Sequence, residues 1–454
     1  LADCTIQSNS LSGIYLNGGS LSATGCAVRG NAEYGLLHEI NDTTPYAWSS
    51  YAGNGIAAIG IKGVTMTRAV TWTRPRESET LRIIDNVLIA SNASLTIDPG
   101  VVVEFSKGRW LDVYGGLRAE GAESNRVILT GSAQSNNWWR GLELYETGSV
   151  VLAFADLSYA GETYPYLGIN KQGGASLAMS NCSLHHINGI ALLLRNAPGS
   201  LSLHNTWFSN NTFAVQLDPG ASIDDATSRF TNNTYDVYHN SGTITQQVSW
   251  RLPRDCSLHA AGVTVATNGA LTVGAGTVVK FASGAWLDVH GRLEATGTPD
   301  EPVCFTDWRD DTVGGDANHD GNSTAPAAGW WRAIRGYGTG SVSLARSTVR
   351  YAGQSDGRAI YRTGSGELKL AGCVIANNNG DGVQIDGAAG PVAITGCEFS
   401  GNNNGVRALN QSNDFAIARS AIFSNATYGV TNAGPATVDA RGAWWGAASG
   451  PHHP

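Results

Sequence analysis

The stretch LKLAGCVIANNNGDGVQI, residues 368–385, contains three short segments in which apolar residues alternate with other residues. The alternating pairs are Leu368/Leu370, Cys373/Ile375 and Val383/Ile385. A period of two places the side chains of each pair on one face of a β-strand. Glycine and asparagine fill the positions between the segments, where they favour sharp turns. The stretch therefore predicts three strands joined by tight corners.

The same pattern repeats along the chain, and the residue aligned with Cys373 serves here as the anchor of each unit. Neighbouring anchors of one group are 22–24 residues apart, and the eight anchors are Cys4, Cys26, Cys182, Thr206, Ser228, Cys373, Cys397 and Ser420. An asparagine stands five positions after seven of them: Asn9, Asn31, Asn211, Asn233, Asn378, Asn402 and Asn425. We expect each corner asparagine to hydrogen-bond to the same residue one unit away.

Three short strands per unit without a helical segment describe one coil of a parallel β-helix. Leucine-rich repeats have a similar length, but their LxxLxLxxN register is missing here. The chain resembles the right-handed parallel β-helix repeat family of secreted and cell-surface bacterial proteins. We therefore expect an all-β fold, a right-handed parallel β-helix with three short strands per coil of 22–24 residues. The resemblance also implies a secreted or cell-surface, extracellular location.

A longer period lies above the coil repeat. Residues 95–130 match residues 271–306 with a shift of 176 positions. The match predicts three parts, which are the last coils of a preceding module at 1–69, a complete module at 70–247 and a second module at 248–454 with an inserted Asp/Asn-rich loop at 310–324. We expect the three parts to form one continuous solenoid.

The two copies differ in charge at some strand positions. Glu104 of the first copy becomes Lys280 in the second. Because charged side chains are rarely buried without a partner, a position that changes sign between copies predicts a solvent-exposed face. The positions kept in both copies are tryptophan, glycine and alternating apolar residues, which indicates that the duplication preserved a scaffold.

The composition excludes several function classes. The net charge of −8 is spread along the chain, whereas nucleic-acid binding needs a basic face. No apolar stretch reaches the roughly 18 residues of a membrane-spanning helix. The seven cysteines form no CxxC pair, which argues against a zinc ribbon and a dense disulfide scaffold. We expect neither a nucleic-acid partner nor a membrane span in this chain.

The inserted segment DDTVGGDANHDGNST, residues 310–324, carries the sharpest polar motif in the sequence. Its oxygen-bearing side chains alternate around Gly321 and are Asp316, Asn318, Asp320 and Asn322. Oxygen ligands at alternate positions around a glycine turn suit calcium. The alternative is a hydrated loop that binds no metal.

The segment resembles the first half of an EF-hand-type calcium loop, but it departs from that loop at its end. Ala327 stands where a bidentate glutamate is expected. We expect Asp310 or Asp311 to fold back and supply the missing ligand. Calcium is the one cofactor that the sequence predicts.

Cysteines occupy the anchor in two pairs of adjacent units, Cys4 with Cys26 and Cys373 with Cys397. One strand spacing is within the reach of a disulfide. The alternative is a ladder of buried free thiols that act as small core residues. The interchange with Thr206 and Ser420 at the same position favours the thiols.

Three tryptophan doublets occur, at 138–139, 330–331 and 444–445. Neighbouring side chains of a strand face opposite ways, so one ring of each doublet can pack inside while the other lies outside. An outward ring at Trp138, Trp330 or Trp444 would contact a sugar or a neighbouring chain. The alternative is that these rings cover coil corners.

Two functions are open on the sequence alone. The first is a structural or adhesive scaffold (a stalk, surface fibre or filament subunit) whose partners are copies of itself or surface glycans. The second is a polysaccharide-binding or polysaccharide-degrading protein, because many β-helix proteins cleave or epimerise polysaccharides. Such catalysis needs clustered carboxylates, but the signatures of polygalacturonases and pectate lyases are missing. We therefore predict no catalytic residues and favour the scaffold.

Overall fold

The computed structural model describes residues 1–39, 46–63, 65–76, 80–195, 201–321, 323–447 and 450. Within these residues the structure consists of short strands and a single 3-10 helix at Tyr46–Trp48. The chain divides into two compact units. Unit 1 comprises Leu1–Gln216 and Thr227–Tyr235, and unit 2 comprises Leu217–Ala226 and Asp236–Pro454.

Unit 1 contains strands of three long parallel sheets and one small sheet, and each label below covers the strands of this unit only. Sheet A1 contains Ala69–Trp72, Ser94–Ile97, Gly116–Glu120, Ser149–Ala153, Ser176–Ser180 and Leu201–His204. Sheet B1 contains Ile14–Leu16, Leu36–Glu39, Ala58–Lys62, Thr80–Ile83, Val102–Phe105, Val127–Gly131, Ala155–Ser158, Ser183–His185, Trp207–Ser209 and Arg229–Thr231. Sheet C1 contains Thr65–Met66, Val87–Ile89, Trp110–Val113, Gly141–Leu144, Leu167–Lys171, Ile190–Leu194 and Phe213–Leu217. The small sheet contains Thr5–Gln7 and Ala27–Arg29.

Unit 2 likewise contains strands of three parallel sheets. Sheet A2 contains Ile223–Asp224, Gln247–Arg251, Ala270–Val273, Arg292–Thr296, Ser341–Ala345, Leu368–Ala371, Val392–Thr395, Phe415–Ala418 and Val438–Asp439. Sheet B2 contains Tyr235–His239, Ser257–Ala260, Val278–Phe281, Val303–Asp307, Ser347–Arg350, Val374–Ala376, Glu398–Ser400 and Ala421–Phe423. Sheet C2 contains Gly242–Ile244, Val263–Val265, Leu287–Val289, Ile334–Gly336, Arg358–Gly364, Asp381–Ala388, Asn404–Leu409 and Tyr428–Ala433.

The predicted fold class is confirmed, because each unit is a parallel β-solenoid that matches a right-handed parallel β-helix. The alternating side chains of residues 368–385 point inward as the period of two predicted. All six of them are at most 1% exposed: Leu368, Leu370, Cys373, Ile375, Val383 and Ile385. Inward residues of successive coils stack in register, as in the column Phe305, Val349, Ile375, Phe399 and Ile422. The core is therefore built from columns of apolar side chains.

The two units bury the same aromatic contact. In unit 1 the ring of Trp139 stacks on Phe105 with 4.0 Å between ring centroids. In unit 2 Trp331 stacks on Phe281 at 4.3 Å. Both indoles donate a hydrogen bond of 2.9 Å to a main-chain carbonyl, as buried tryptophan usually requires. One member of each of these tryptophan doublets is thus part of the core.

Corner asparagines link successive coils through their side-chain amides. The Nδ2 atom of Asn378 donates to Oδ1 of Asn402 at 2.9 Å and to the carbonyl oxygen of Val349 at 3.2 Å. The Oδ1 atom of Asn378 accepts from the amide nitrogen of Ala352 at 2.9 Å. Asn402 makes the same forward contact to Asn425, at 3.2 Å. Each amide therefore satisfies main-chain groups that a corner would otherwise leave unpaired.

Unit 1 has the same ladder at two places. Asn9 donates to Asn31 at 2.7 Å, and Asn31 donates in turn to Asn54 at 2.8 Å. Asn211 donates to Asn233 at 3.1 Å. Asn54 is not among the aligned corner asparagines, although Ser49 and Tyr51 before it match the anchor and the apolar position two residues later. The structure therefore adds one more coil to the ladder, and the amide nitrogen of Cys26 donates to the hydroxyl of Ser49 at 3.2 Å.

Equivalent strands of the sequence repeat do not always share a sheet. Strand Ser183–His185, which follows the anchor Cys182, lies in sheet B1. Strand Ala27–Arg29, which follows the anchor Cys26, lies outside sheet B1. Sheet B1 contains instead Leu36–Glu39, the strand after the corner asparagine of that unit. Between these two groups of repeats, the strand that follows the anchor therefore shifts by one position in the order of strands around the coil.

Three of the described histidines are buried. His38, His239 and His259 are 1%, 0% and 7% exposed. Burial lowers the pKa of His38 and of His239 to about 4. Burial also lowers the pKa of His259 to about 3, and the positive charge of Lys280 adds to that shift. All three imidazoles are therefore neutral in the folded chain near neutral pH.

We expect the substitution Asn378→Ala to lower the free energy of unfolding of unit 2 by about 2–4 kcal/mol. The change removes three hydrogen bonds and leaves the amide of Ala352 buried without an acceptor. Urea unfolding followed by circular dichroism measures the effect. Asn379→Ala is the control, because Asn379 is exposed and such surface changes stay within about 0.5 kcal/mol. Equal unfolding midpoints for the two variants would contradict the role of the ladder.

We expect acid to destabilise the fold between about pH 6.5 and pH 4. An unfolded histidine takes up a proton near its ordinary pKa of 6.5, whereas the three buried imidazoles do so only near pH 4 or below. The unfolded state then binds more protons, so stability falls as the pH drops, by up to about 1.4 kcal/mol per pH unit for each histidine. Urea midpoints at pH 7, 6 and 5 test this. His239→Leu is expected to flatten the profile of unit 2, whereas Asn379→Ala, which removes no titratable group at an exposed position, leaves the slope of the profile unchanged.

Candidate metal centre

The inserted loop is closed at its base by one buried carboxylate. It begins where strand Val303–Asp307 of sheet B2 ends. The carboxylate of Asp307 accepts from the amide nitrogen of Arg309 at 2.8 Å and from that of Ala327 at 3.0 Å. The guanidinium of Arg309 adds a hydrogen bond of 2.7 Å. Asp307 therefore holds the outgoing and the returning chain together.

The first aspartate of the segment is occupied by structural partners. The buried carboxylate of Asp310 forms an ion pair of 2.5 Å with Arg350. It also accepts from the hydroxyl groups of Thr306 and Thr312. Asp310 is therefore held by structural partners, and it does not belong to the carboxylate cluster of the loop.

The second aspartate joins the loop motif. The carboxylate oxygens of Asp311, Asp316 and Asp320 lie within 4.8 Å of one another. Asn318 belongs to the same loop and donates from Nδ2 to Oδ2 of Asp320 at 2.8 Å. Asn322, the fourth residue of the predicted ligand set, lies outside the described residues. Of the two residues that could fold back, the fold thus brings Asp311 to the cluster.

Hydrogen bonds within the loop hold some carboxylate oxygens and leave others free. The amide nitrogen of Gly321 donates to Oδ2 of Asp316 at 2.9 Å, and that of Ser323 donates to Oδ1 of Asp320 at 3.1 Å. In contrast, the Oδ1 atoms of Asp311, Asp316 and Asn318 are buried and have no hydrogen-bond donor among the described residues. A buried acceptor without a donor is costly. Three such oxygens in one loop are the type of ligand set that calcium takes.

The spacing and charge of the cluster fit a calcium ion. Oxygens on opposite sides of a calcium ion are about 4.8 Å apart, twice the usual bond length of about 2.4 Å. Burial raises the pKa of the Asp311 carboxyl, and the negative charge of Asp316 raises it further. The carboxylates therefore repel one another, and a cation between them would remove that repulsion.

A lysine lies beneath the loop. Lys280 is fully buried, and its ammonium donates to the carbonyl oxygen of Gly315 at 2.5 Å. Burial lowers the pKa of Lys280, whereas the negative charges of Asp311 and Asp310 oppose that shift. Three carboxylates of the cluster and one ammonium leave two negative charges, which a divalent cation would balance.

The expectation of a solvent-exposed face at the Glu104/Lys280 position is wrong for Lys280. The loop insertion occurs only in the second copy of the long repeat, and there it covers strand Val278–Phe281. In unit 1 the equivalent Glu104 is half-buried and pairs with Arg82 at 2.6 Å. The sign of the charge thus follows the local partner, which is an arginine in one unit and an acidic loop in the other.

The anchor cysteines are free thiols in the structure. All seven cysteines are unbridged, and Cys26, Cys373 and Cys397 are buried while Cys4 is partly buried. The thiol of Cys373 donates to the carbonyl oxygen of Leu344 at 3.2 Å. They pack as small core residues at the coil corners.

The outward rings of the tryptophan doublets differ in exposure. The guanidinium of Arg309 lies 3.6 Å from the ring centre of Trp330 and covers it. Trp138 is partly buried and donates from Nε1 to the hydroxyl of Ser132 at 2.9 Å. Trp444 is 52% exposed. A glycan or partner contact at these rings stays a prediction, and Trp444 has the most open surface for it.

Comparison with known proteins adds a family assignment for part of unit 2. Residues 332–438 match the family model described as "Right handed beta helix region". The matched residues are similar to this family. They begin after the inserted loop, so the candidate metal centre lies outside the matched residues. Comparisons with curated proteins and with solved structures gave no match. Among the described residues, no helix has the length and apolar character needed to cross a membrane.

Proposed function

We propose that the chain is an extracellular structural β-helix scaffold, a stalk, surface fibre or filament subunit built from tandem modules. The observation that carries the proposal is the use of the repeated polar residues. The corner asparagines commit their amides to bonds between coils, as in the contact of Asn378 with Asn402. These repeated polar side chains are thus used for the stacking of coils and not for a catalytic site on the surface. The proposed partners are further copies of the chain or surface glycans.

Charged residues on the outer face of sheet C2 support the same function. Arg335 pairs with Asp288 at 2.6 Å and with Asp356 at 2.9 Å. Asp288 lies one coil before Arg335 in the chain, and Asp356 lies about one coil after it. The guanidinium therefore links neighbouring coils. Ion-pair networks of this kind add more to stability than isolated surface pairs. The face is therefore arranged for rigidity.

The second candidate function is the binding or degradation of polysaccharides, which other β-helix proteins carry out. For the scaffold we expect no turnover when the chain is incubated with neutral and acidic polysaccharides. Assays for new reducing ends and for unsaturated products measure this directly. Sedimentation velocity over a concentration series then tests for association between copies. Release of oligosaccharide products would contradict the scaffold and favour the enzyme.

We also propose that the inserted loop binds one calcium ion through Asp311, Asp316, Asn318 and Asp320. Calcium would be expected to raise the melting temperature of the chain and to bind with a stoichiometry of one per chain. A bound ligand stabilises by about 2.7 kcal/mol at a hundredfold excess over its Kd. Calorimetric titration and thermal melting, with EDTA as the reference state, provide the measurements.

The substitution Asp316→Asn tests the calcium site. In EDTA this variant is expected to melt at or slightly above the temperature of the unchanged chain, because one repelling charge is gone. In calcium it is expected to show little of the stabilisation. Asp300→Asn is the matched control at an exposed position outside the loop. If calcium does not change the melting temperature of the unchanged chain, the site is ruled out.

A further inference from the structure

We propose that the outer face of sheet B1 in unit 1 binds a neutral polysaccharide chain in a groove centred on Trp207. The groove is a hollow of about 640 Å³. Its floor is formed by the neighbouring strands Ala155–Ser158, Ser183–His185 and Trp207–Ser209. The volume is within the range of about 300–1,000 Å³ that is usual for ligand sites. The inference deepens the proposed function and rests on it, because it gives a binding site for the glycan partner of the scaffold.

The rims of the groove are corners with left-handed backbone. On one side stand Phe154, Asn181 and Asn205, with φ angles of 45°, 54° and 47°. On the other side stand His186 and Asn210, with φ angles of 57° and 56°. Because successive coils each contribute residues to the rims, the groove runs across the coils. Such a groove suits an extended chain of repeating units.

Trp207 is an unusual residue for its position in the repeat. It occupies the outward position directly after an anchor, and none of the other seven aligned units has an aromatic residue there: these positions hold Thr5, Ala27, Ser183, Arg229, Val374, Glu398 and Ala421. The indole is 51% exposed. Packing of the solenoid does not require an aromatic ring at this place, and an exposed indole is unfavourable in water. A ligand that covers the ring would remove that cost.

The ring is held in position in the free chain. The Nε1 atom of Trp207 donates to the hydroxyl of Thr231 in the next coil at 3.0 Å. A second hollow of about 400 Å³, lined by Asn205, Arg229 and Thr231, adjoins the ring. A fixed aromatic surface loses little conformational entropy on binding. It can stack on the apolar C–H face of a pyranose ring.

Polar groups beside the indole match the hydroxyl groups of a sugar. The Nδ1 atoms of His185 and His186 are 2.8 Å apart, so one ring donates to the other. The amide of Asn205 donates to that of Asn181 at 2.6 Å. Neutral amides and imidazoles offer both donors and acceptors. This mixture of an aromatic surface and neutral polar groups suits carbohydrate recognition.

The charges of the groove favour a neutral glycan over an acidic one. Arg126 lines the groove but is already paired with Asp156 at 2.8 Å. Glu123 lines the same hollow and adds a negative charge. Burial lowers the pKa of His185, and the neighbouring His186 lowers it further, which keeps that ring neutral near pH 7. The described lining residues therefore carry a net negative charge, which disfavours uronate chains.

Calorimetric titration of the full chain with defined hexasaccharides tests the proposal. The neutral probes are cellohexaose, xylohexaose, mannohexaose and maltohexaose, and the acidic probe is hexagalacturonate. We expect at least one neutral probe to bind and the acidic probe to bind more weakly. Trp207→Ala is expected to reduce the affinity at least about tenfold, as the loss of a buried aromatic contact typically does. Trp207→Phe, which keeps a ring, is expected to retain part of the affinity.

Trp48→Ala is the matched control, because Trp48 lies in unit 1 and is 55% exposed. It is expected to bind like the unchanged chain, and circular dichroism melts show whether all variants are folded. The proposal is overturned if no neutral hexasaccharide binds, if Trp207→Ala binds as well as the unchanged chain, or if hexagalacturonate binds best. None of these results bears on turnover or on coil stacking, so they leave the scaffold function intact.

Discussion

Pairing between parallel strands of successive coils is the interaction on which the rest of the structure depends. Strands of two to eight residues are joined by tight corners, and each corner interrupts the ladder of main-chain hydrogen bonds. The corner asparagine closes that gap, since its amide donates to the preceding coil and to the next asparagine, as Asn402 does toward Ile375 and Asn425. Apolar columns fill the interior between the sheets. Stability is therefore shared among near-identical contacts between neighbours.

This arrangement leaves the outward positions free to differ between coils, and the candidate sites use that freedom. In unit 2 a loop leaves the end of a strand, is closed at its base by Asp307 and brings carboxylates over the buried Lys280. In unit 1 a single outward position carries Trp207, where none of the other aligned units has an aromatic residue. Both features rest on a scaffold whose strand pairing repeats from coil to coil. A function can thus be added without altering the core.

Part of the candidate metal centre could be predicted from the sequence. The alternation of Asp316, Asn318 and Asp320 around a glycine is a local pattern, and it marks candidate oxygen ligands without any knowledge of the fold. The choice of Asp311 over Asp310 is not local, because it depends on Arg350, which approaches from another coil and binds Asp310. The burial of Lys280 also depends on a segment that is distant in the sequence. Residues far apart in the chain decide these points, and a single sequence does not show which of them meet.

The sequence by itself determined the repeating unit of this protein: strands of period two, corners of asparagine and glycine, and a coil of 22–24 residues. These features follow from local rules of side-chain direction and turn formation. Only the tertiary structure decided which strands share a sheet. The aligned strands Ala27–Arg29 and Ser183–His185 lie in different sheets, because the hydrogen-bond register between coils is set by the whole intervening chain. The same register brings Trp207, the rim asparagines and Asp156 to one groove, which no local pattern could show.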